Sequence, residues 1–271
     1  MDPFRMNGRQ TDGSLLMLQH WNERYGLTAG FTTRHAGNVA LHVGDDPGAV
    51  IGRRSAIAES LGWTFEAFTC AEQVHGSDVR VIDRKGAGSG RMDRESACHH
   101  TDALVTNEDD VFLAMFYADC VPLYFYDPDT GAMGLAHAGW KGTVADIVGS
   151  TVSRMSDVYG ANPANIVAAI GPSIGACCYE VDGTVLSQVM PLVADDPATA
   201  AIVVRSAERK GRAMLDLKHL NRHLMIKAGI LPSGIEVSSW CTSCRNDLLF
   251  SHRKENGTTG RMMSWIGRKS R

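Results

Sequence analysis

Three apolar segments follow one another closely in the middle of the chain and constrain the fold more than any other feature. They are "VFLAMFY" from Val111, "VPLYFYD" from Val121 and "MGLAH" from Met133. Only a few polar or turn-forming residues separate them. Short apolar runs bounded by turn residues are typical of buried strands, so the sequence predicts three strands in succession.

Other segments extend this pattern to most of the chain. Strands are predicted for "DVRVID" from Asp78, "DALVT" from Asp102, "NIVAAIG" from Asn165 and "IEVSSW" from Ile235. Helices are predicted for "PGAVIGRRSAIAESLG" from Pro47, "TVADIVGSTVSRMSDVYG" from Thr143, "VDGTVLSQVMPLV" from Val181 and "LDLKHLNRHLMIKAG" from Leu215. Groups of strands with helices interspersed indicate a mixed-sheet α/β or α+β fold rather than a regular βαβ alternation.

Length and charge exclude several functional classes. A chain of 271 residues fits one or two domains, and a net charge of -3 argues against a nucleic-acid-binding protein. No run approaches the ~18 apolar residues of a membrane span, and the N-terminal apolar patch lacks the features of a secretory signal. Seven irregularly spaced cysteines favour reduced thiols in the cytoplasm. Nothing implies an obligate protein partner.

The first twelve residues have a different character from the rest. They are polar, carry two methionines and match neither a strand nor a helix pattern. We expect residues 1–12 to be disordered or vector-derived, and residues 13–271 to form a single domain.

Three side chains with metal-binding chemistry lie at the ends of predicted strands. His75 precedes "DVRVID", Cys120 separates the runs at Val111 and Val121, and His137 ends "MGLAH". Each one alone is more typical of a packed core residue than of a site. Together, two imidazoles and a thiolate suit zinc, and three protein ligands with an open fourth position are typical of a catalytic ion.

Four further cysteines form two short motifs. "CTSC" places Cys241 and Cys244 in a C-x-x-C pattern, but no second such motif or nearby histidine pair accompanies it. The neighbours Cys177 and Cys178 stand in "GACCYE". We interpret all four as core or loop cysteines.

Ten short motifs occur in a fixed order over nearly the whole chain. They are "FTTR", "QVHG", "TDALVT", "ADCVP", "AHAGWKGT", "IGPSIG", "YEV", "CT", "FSHR" and "TGR". This pattern closely resembles the YfiH-like family, also called laccase-domain or multicopper polyphenol oxidase proteins. The resemblance implies a single-domain α/β/β/α sandwich with mixed sheets, and one Zn²⁺ in a cleft bound by His75, Cys120 and His137.

The same resemblance implies an activity on purine nucleosides. The expected reactions are phosphorolysis of adenosine, inosine, guanosine and methylthioadenosine, and deamination of adenosine, so the partners would be a purine nucleoside and phosphate. The family also carries an older description as copper-dependent phenol oxidases, which makes copper the alternative metal. A role in removing misincorporated amino acids from peptidoglycan precursors is attributed to some of its members.

Four more residues are candidates for the reaction. Lys141 in "AGWKGT" and Arg34 in "FTTR" are candidate phosphate ligands, although Lys141 is equally a solvated turn lysine. Trp140 is a candidate for stacking on a base or, alternatively, fills the core. Asp119 is a candidate proton carrier beside Cys120, or a turn-capping carboxylate.

Three alternative functions belong to other classes. Copper oxidation of phenols would need many imidazoles, and the ten histidines include no His-x-His pair. A cysteine hydrolase would use Cys120 as nucleophile with His137 or His75 as base. A zinc-stabilised binding protein would close the site with a fourth protein ligand.

Overall fold

The computed structural model describes residues 1–6 and 13–270. The strands within these residues are β1 (Phe4–Met6), β2 (Leu15–Leu18), β3 (Leu27–Thr32), β4 (Phe68–Cys70), β5 (Val79–Val81), β6 (Ala103–Thr106), β7 (Val111–Tyr117), β8 (Val121–Tyr126), β9 (Met133–Ala138), β10 (Val167–Ile170), β11 (Glu180–Asp182), β12 (Val204–Ser206), β13 (Arg212–Leu215), β14 (Ile235–Val237) and β15 (Met262–Arg268). The helices of the same part of the chain are α1 (Gln19–Tyr25), α2 (Pro47–Ser60), α3 (Trp140–Val144), α4 (Ile147–Tyr159), α5 (Gly183–Val189), α6 (Pro197–Val203) and α7 (Leu217–Lys227).

The strands form mixed sheets. The first sheet has the order β1-β2-β3-β15-β7-β4, in which only the β4–β7 pair is parallel among the described strands. The second sheet has the order β14-β10-β8-β9-β6-β5, with parallel pairs at both edges and antiparallel pairs between them. A small antiparallel sheet contains β11, β13 and β12.

The two large sheets pack face to face, with helices on both outer faces. Leu113 and Met115 of β7 share a buried cluster with Tyr124 of β8 and Leu135 of β9. The outer face of the second sheet packs against α4 and α7, and the outer face of the first sheet packs against α2. The predicted α/β/β/α sandwich with mixed sheets is therefore confirmed.

Burial explains why the central strands β7, β8 and β9 can be predicted from the sequence. Every residue of β7, β8 and β9 is buried, because each strand is covered on both faces. Strands covered on both sides have nearly continuous apolar sequences rather than alternating ones. All seven predicted strands correspond to strands of the structure, from β5 to β14.

β3 and β15 are strands that the sequence pattern does not predict. Gly30 interrupts the apolar run of β3, and polar or small residues interrupt β15. A Cβ atom at Gly30 would lie 2.5 Å from the Leu16 carbonyl oxygen and 2.5 Å from the Trp265 ring. Gly30 therefore has two effects: it interrupts the apolar pattern of β3, and it leaves room for the Trp265 ring to pack against the strand.

The helix predicted from Thr143 to Gly160 is wrong in one respect. It is two helices, α3 and α4, separated by Asp146, whose backbone is left-handed at φ 60°. The Asp146 side chain accepts a hydrogen bond from the Gly149 amide at 3.0 Å and so begins a new helix. Gly160 ends α4 in the left-handed conformation, as the sequence predicts.

Residues 1–6 of the segment expected to be disordered or vector-derived include the strand β1. β1 pairs with β2, and Phe4 is 1% exposed in the core. The remaining residues of this segment, 7–12, lie outside the described residues. Among the helices that are described, none has the length and apolar character needed to cross a membrane.

Candidate metal centre and its two cavities

The register of two antiparallel strands brings Cys120 and His137 together. Pro122 of β8 pairs with His137 near the end of β9, and Cys120 lies just before β8 begins. The start of one strand therefore lies beside the end of the other. His137 is 3% exposed, whereas Cys120 is partly accessible.

A tight turn brings His75 to the same place. His75 has a left-handed backbone with φ 64°. The Gln73 side chain anchors the turn, because it donates to the Phe116 carbonyl at 2.7 Å and accepts from the Phe116 amide at 2.8 Å. The turn therefore holds His75 at the end of β7, directly before the loop that carries Cys120.

Asp102 joins the His75 turn to His137. Its carboxylate accepts hydrogen bonds from the amides of Val74, His75 and Gly76 at 3.1, 3.0 and 2.7 Å. It also lies 2.9 Å from His137 Nδ1. With that ring nitrogen donating to the carboxylate, Nε2 of His137 is the atom left to bind an ion.

The three predicted ligands have the geometry of a single metal site. One donor atom from each of His75, Cys120 and His137 lies within 4.8 Å of the other two. Cys120 Sγ and His75 Nε2 are 3.9 Å apart. Two imidazoles and one thiolate at these separations fit one divalent ion, and among the described residues no fourth His, Cys, Asp or Glu joins the group.

Gly139 allows the chain after β9 to pass close to the ligands. A Cβ atom there would lie 3.0 Å from Cys120 Sγ and 3.0 Å from His75 Cδ2. Both are atoms of metal-ligand side chains. The glycine of "AHAGW" is therefore required by this close approach.

The protonation states of the ligands are coupled. Burial alone would raise the pKa of the Cys120 thiol, but the charge and hydrogen bonds of His137 and His75 lower it to about 6. Burial alone would lower the pKa of His137, but the Cys120 thiolate and the Asp102 carboxylate raise it to about 9. Without metal, a thiolate–imidazolium pair is therefore favoured near neutral pH.

Two cavities of different character meet at the three ligands. One, of about 270 Å³, is lined mainly by apolar side chains, including those of Trp140, Ile174 and Tyr179. The other, of about 250 Å³, is more polar and is lined by Gln73 and Arg261 among others. His75 and Cys120 line both cavities.

The structure places Asp119, Trp140 and Lys141 in the wall of the apolar cavity. Asp119 Oδ1 accepts from the Thr242 hydroxyl at 2.5 Å, and Oδ2 accepts from the Arg253 amide at 2.7 Å. Lys141 is exposed, with its ammonium 5.8 Å from the centre of the Trp140 ring. These three predicted residues therefore lie together beside the metal ligands.

Arg34 lies elsewhere. Its guanidinium donates to the Asn246 carbonyl, lies 3.2 Å from Glu255 Oε1 and covers the Phe250 ring at 4.8 Å. It lines neither of the two cavities. The geometry therefore does not support the expectation that Arg34 binds phosphate; the side chain holds the loop of residues 246–255 in place.

Five residues that lie at the site were not predicted from the sequence. They are Asp102, His42, Tyr179, His252 and Arg261. Four of them stand in motifs quoted above, namely "TDALVT", "YEV", "FSHR" and "TGR". Each motif contains a polar or aromatic residue that the predicted strands and helices do not explain. That residue was the signal in the sequence for a place in the site.

Comparison with known proteins places the chain among relatives of the same fold. The family model described as multi-copper polyphenol oxidoreductase laccase matches residues 26–269. The protein named purine nucleoside phosphorylase YlmD of Geobacillus stearothermophilus is 42% identical over 253 residues, covering 90% of this chain and 91% of the relative. Its namesake from Bacillus subtilis is 39% identical, covering 96% of each chain.

Solved structures agree with this placement. The crystal structure of YlmD from Geobacillus stearothermophilus has a TM-score of 0.92 at 40% identity and covers 100% of both chains. That of a hypothetical protein YfiH from Bacillus licheniformis has a TM-score of 0.90 at 40% identity, covering 99% of this chain and 100% of the other. The chain therefore belongs to the laccase-like YfiH family.

Proposed function

We propose that this chain is a zinc-dependent purine nucleoside phosphorylase that also deaminates adenosine. The observation that carries the proposal is a group of three candidate ligands, two of which line both a mainly apolar cavity and a more polar one. The names of the relatives at 42% and 39% identity support the phosphorylase activity. A nucleoside phosphorylase needs a place for an aromatic base, a place for an anion and a centre of positive charge between them.

The donor set supports zinc at His75, Cys120 and His137. Histidine nitrogen and cysteine thiolate are the ligands that Zn²⁺ prefers, and Asp102 orients His137 as a carboxylate does in many zinc sites. A zinc ion bound there would supply positive charge to an oxygen of the substrate and an open coordination position. Copper is the alternative metal, as the family description states.

The apolar cavity suits the purine. Trp140 and Tyr179 provide aromatic surface, and the buried side chain of Ile174 provides an apolar floor. A purine presents two apolar faces, so it would exclude water from this wall while its ribose reaches the metal ligands. In this proposal Trp140 stacks on the purine base.

The cations around the site suit phosphate. Arg261 lines the polar cavity, and Lys141 lies at the wall of the apolar one. Arg261 donates to the carbonyls of Thr259 and Gly260, and the Lys141 ammonium lies over the Trp140 ring. Within residues 1–6 and 13–270, neither side chain forms an ion pair with a carboxylate, so both positive charges remain for an anion. In phosphorolysis a phosphate oxygen bonds to C1′ of the ribose while the bond from C1′ to N9 breaks, and the purine leaves with that electron pair and takes up a proton.

Deamination would use the same cavity. Water supplies the oxygen that replaces the 6-amino group of adenine, and ammonia leaves. Asp119 is the candidate proton carrier, because it lines the cavity next to Cys120. The hydrogen bonds from Thr242 and Arg253 would hold its carboxylate in one orientation.

A second candidate function follows from the thiolate–imidazolium pair. A Cys120 thiol with a pKa of about 6 beside a histidine with a pKa of about 9 is the arrangement of a cysteine hydrolase. Such an enzyme could act on peptidoglycan precursors. It would keep its activity after chelation, whereas the proposed phosphorylase would lose it.

The test is a nucleoside assay on the purified protein, with and without phosphate. Adenosine and inosine are supplied, and base, ribose 1-phosphate and ammonia are measured before and after removal of metal by a chelator. We expect ribose 1-phosphate only with phosphate and metal, and its loss in the His137→Ala variant. His20→Ala, a change at a histidine that lines a different cavity, is the matched control. Full metal content together with full turnover in His137→Ala would end the proposal.

A further inference from the structure

Four cysteines from two distant segments lie together outside the site described above. Cys177 and Cys178 belong to the loop between β10 and β11, and Cys241 and Cys244 belong to the loop after β14. A parallel bridge between Ser173 and Cys241 holds the two loops side by side. The partners that the C-x-x-C motif lacks in sequence are thus supplied by the fold.

The sulfur atoms have the spacing of ligands around one ion. All four Sγ atoms lie within 4.8 Å of one another. Cys244 Sγ is 3.4 Å from Cys177 Sγ and 3.5 Å from Cys178 Sγ. In a tetrahedral site with Zn–S bonds of about 2.3 Å, neighbouring sulfurs are roughly 3.8 Å apart. A cluster of several irons would hold its sulfurs farther apart, so the spacing fits a single ion.

A backbone donor and a buried cation offset part of the negative charge that four thiolates would carry. The Gly175 amide donates a hydrogen bond to Cys241 Sγ at 3.2 Å. The buried ammonium of Lys218 donates to the carbonyls of Ser238 and Trp240 at 2.8 and 3.1 Å, immediately before Cys241 in the chain. Four thiolates around a divalent ion carry excess negative charge, and a backbone donor and a nearby buried cation reduce its cost.

We propose that Cys177, Cys178, Cys241 and Cys244 bind a second ion, Zn²⁺, in a closed tetrathiolate site. Four protein ligands leave no open position, so this ion is structural rather than catalytic. The proposal is independent of the reaction proposed above, because none of these four cysteines lines either cavity at His75 and Cys120.

The second ion would stabilise one wall of the apolar cavity. The loop before Cys177 contacts Asp119 through the Ile174 amide, which donates to the Asp119 carbonyl at 3.0 Å. The loop of Cys241 contacts it through the Thr242 hydroxyl, which donates to the Asp119 carboxylate at 2.5 Å. An ion that joins these loops therefore restrains the residue next to Cys120.

The test counts metal ions per chain in protein purified without chelator. Elemental analysis should give two zinc equivalents for the natural chain, one for the His137→Ala variant, and one for the double variant Cys177→Ser, Cys244→Ser. Cys98→Ser is the matched control, since Cys98 is a half-buried free thiol outside both ligand groups, and it should keep two. These variants distinguish loss of the second ion from loss of the ion at His137.

A second measurement needs no cysteine variant. His137→Ala protein reloaded with Co²⁺ should show the intense sulfur-to-cobalt absorption of a tetrathiolate site, and the four thiols should react with a thiol reagent only after chelation. Equal metal content in the natural chain and the double cysteine variant would overturn the proposal. So would an intact mass that shows these cysteines joined as disulfides in metal-free protein, or iron in place of zinc.

Discussion

At the scale of single residues, Asp102 connects segments that are far apart in sequence. One carboxylate accepts from three consecutive amides of the His75 turn and contacts His137. Burial alone would raise the pKa of Asp102, but hydrogen bonds from His137 and from the turn lower it. The ionised carboxylate therefore positions two of the three proposed metal ligands.

Replacing this carboxylate should weaken metal binding. In Asp102→Asn, the amide cannot accept from His137 and from all three turn amides, so both histidines lose their orientation. We expect metal affinity to fall about 10- to 100-fold, measured by competition with a chelator of known affinity. The control is Asp127→Asn, a fully buried aspartate in the β8–β9 turn, which should leave metal affinity unchanged. Wild-type affinity in Asp102→Asn would contradict this role.

The pKa values of Cys120 and His137 predict how metal binding depends on pH. A metal ion binds the thiolate form of Cys120 and the neutral imidazole of His137. Any proton that these two groups carry in the metal-free protein must therefore leave when the ion binds. Between the pKa of about 6 at Cys120 and the pKa of about 9 at His137, binding releases one proton from this pair, and below pH 6 it releases two.

Affinity should therefore rise with pH by about tenfold per unit between pH 6 and 9, more steeply below pH 6, and level off above pH 9. The double variant Cys177→Ser, Cys244→Ser isolates this ion from the second one. Calorimetry in two buffers with different ionisation enthalpies measures the proton release. A metal affinity that stays constant from pH 6 to 9 would contradict binding by Cys120 and His137.

At the scale of elements, the junction between β9 and α3 decides how close the backbone comes to the proposed metal ligands. β9 ends at Ala138, and Gly139, which precedes α3, is the residue that approaches Cys120 and His75. The first two residues of α3, Trp140 and Lys141, therefore lie at the cavity wall beside the same ligands.

Gly139→Ala should therefore weaken metal binding by tenfold or more, because the added methyl displaces Cys120 and His75. Gly52→Ala is the matched control. Gly52 is exposed in the middle of α2 and has no atom within 4 Å of an added Cβ. This control should keep the metal affinity and raise the free energy of unfolding by about 0.5–1 kcal/mol. Chelator competition and denaturant unfolding measure the two quantities, and unchanged affinity in Gly139→Ala would rule out the close approach.

At the scale of the whole molecule, the interface between the two large sheets supports the site. β9 carries His137, and the same strand places Leu135 in the cluster between the sheets. The position of His137 in the proposed metal site therefore rests on packing that lies two residues away along the strand.

Leu135→Ala should lower the free energy of unfolding by about 2–5 kcal/mol, because it leaves a cavity between two sheets. Leu231→Ala, at a leucine that is 51% exposed, should change it by less than about 0.5 kcal/mol. Denaturant unfolding at one fixed metal concentration measures both, since bound metal adds its own stabilisation. A small effect of Leu135→Ala would mean that the sheets do not depend on this contact.

The sequence by itself determined the central strands and the strand ends at which Cys120 and His137 lie, whereas His75 lies in a turn between β4 and β5. Strands covered on both faces are continuously apolar, and their ends are marked by the first polar residues, so both features are local. The ordered motifs added the family and, with it, the grouping of these three residues into one site.

Only the tertiary structure decided which distant residues meet. Asp102 contacts the backbone of the His75 turn and the ring of His137. Arg34 contacts the distant loop of residues 246–255 instead of a cavity, and Cys244 Sγ lies 3.4 Å from Cys177 Sγ. The periodicity of apolar residues predicts which face of a strand or helix is buried. It does not predict which other segment covers that face. Contacts between segments depend on strand register and sheet packing, which arise from the sum of many weak interactions along the whole chain.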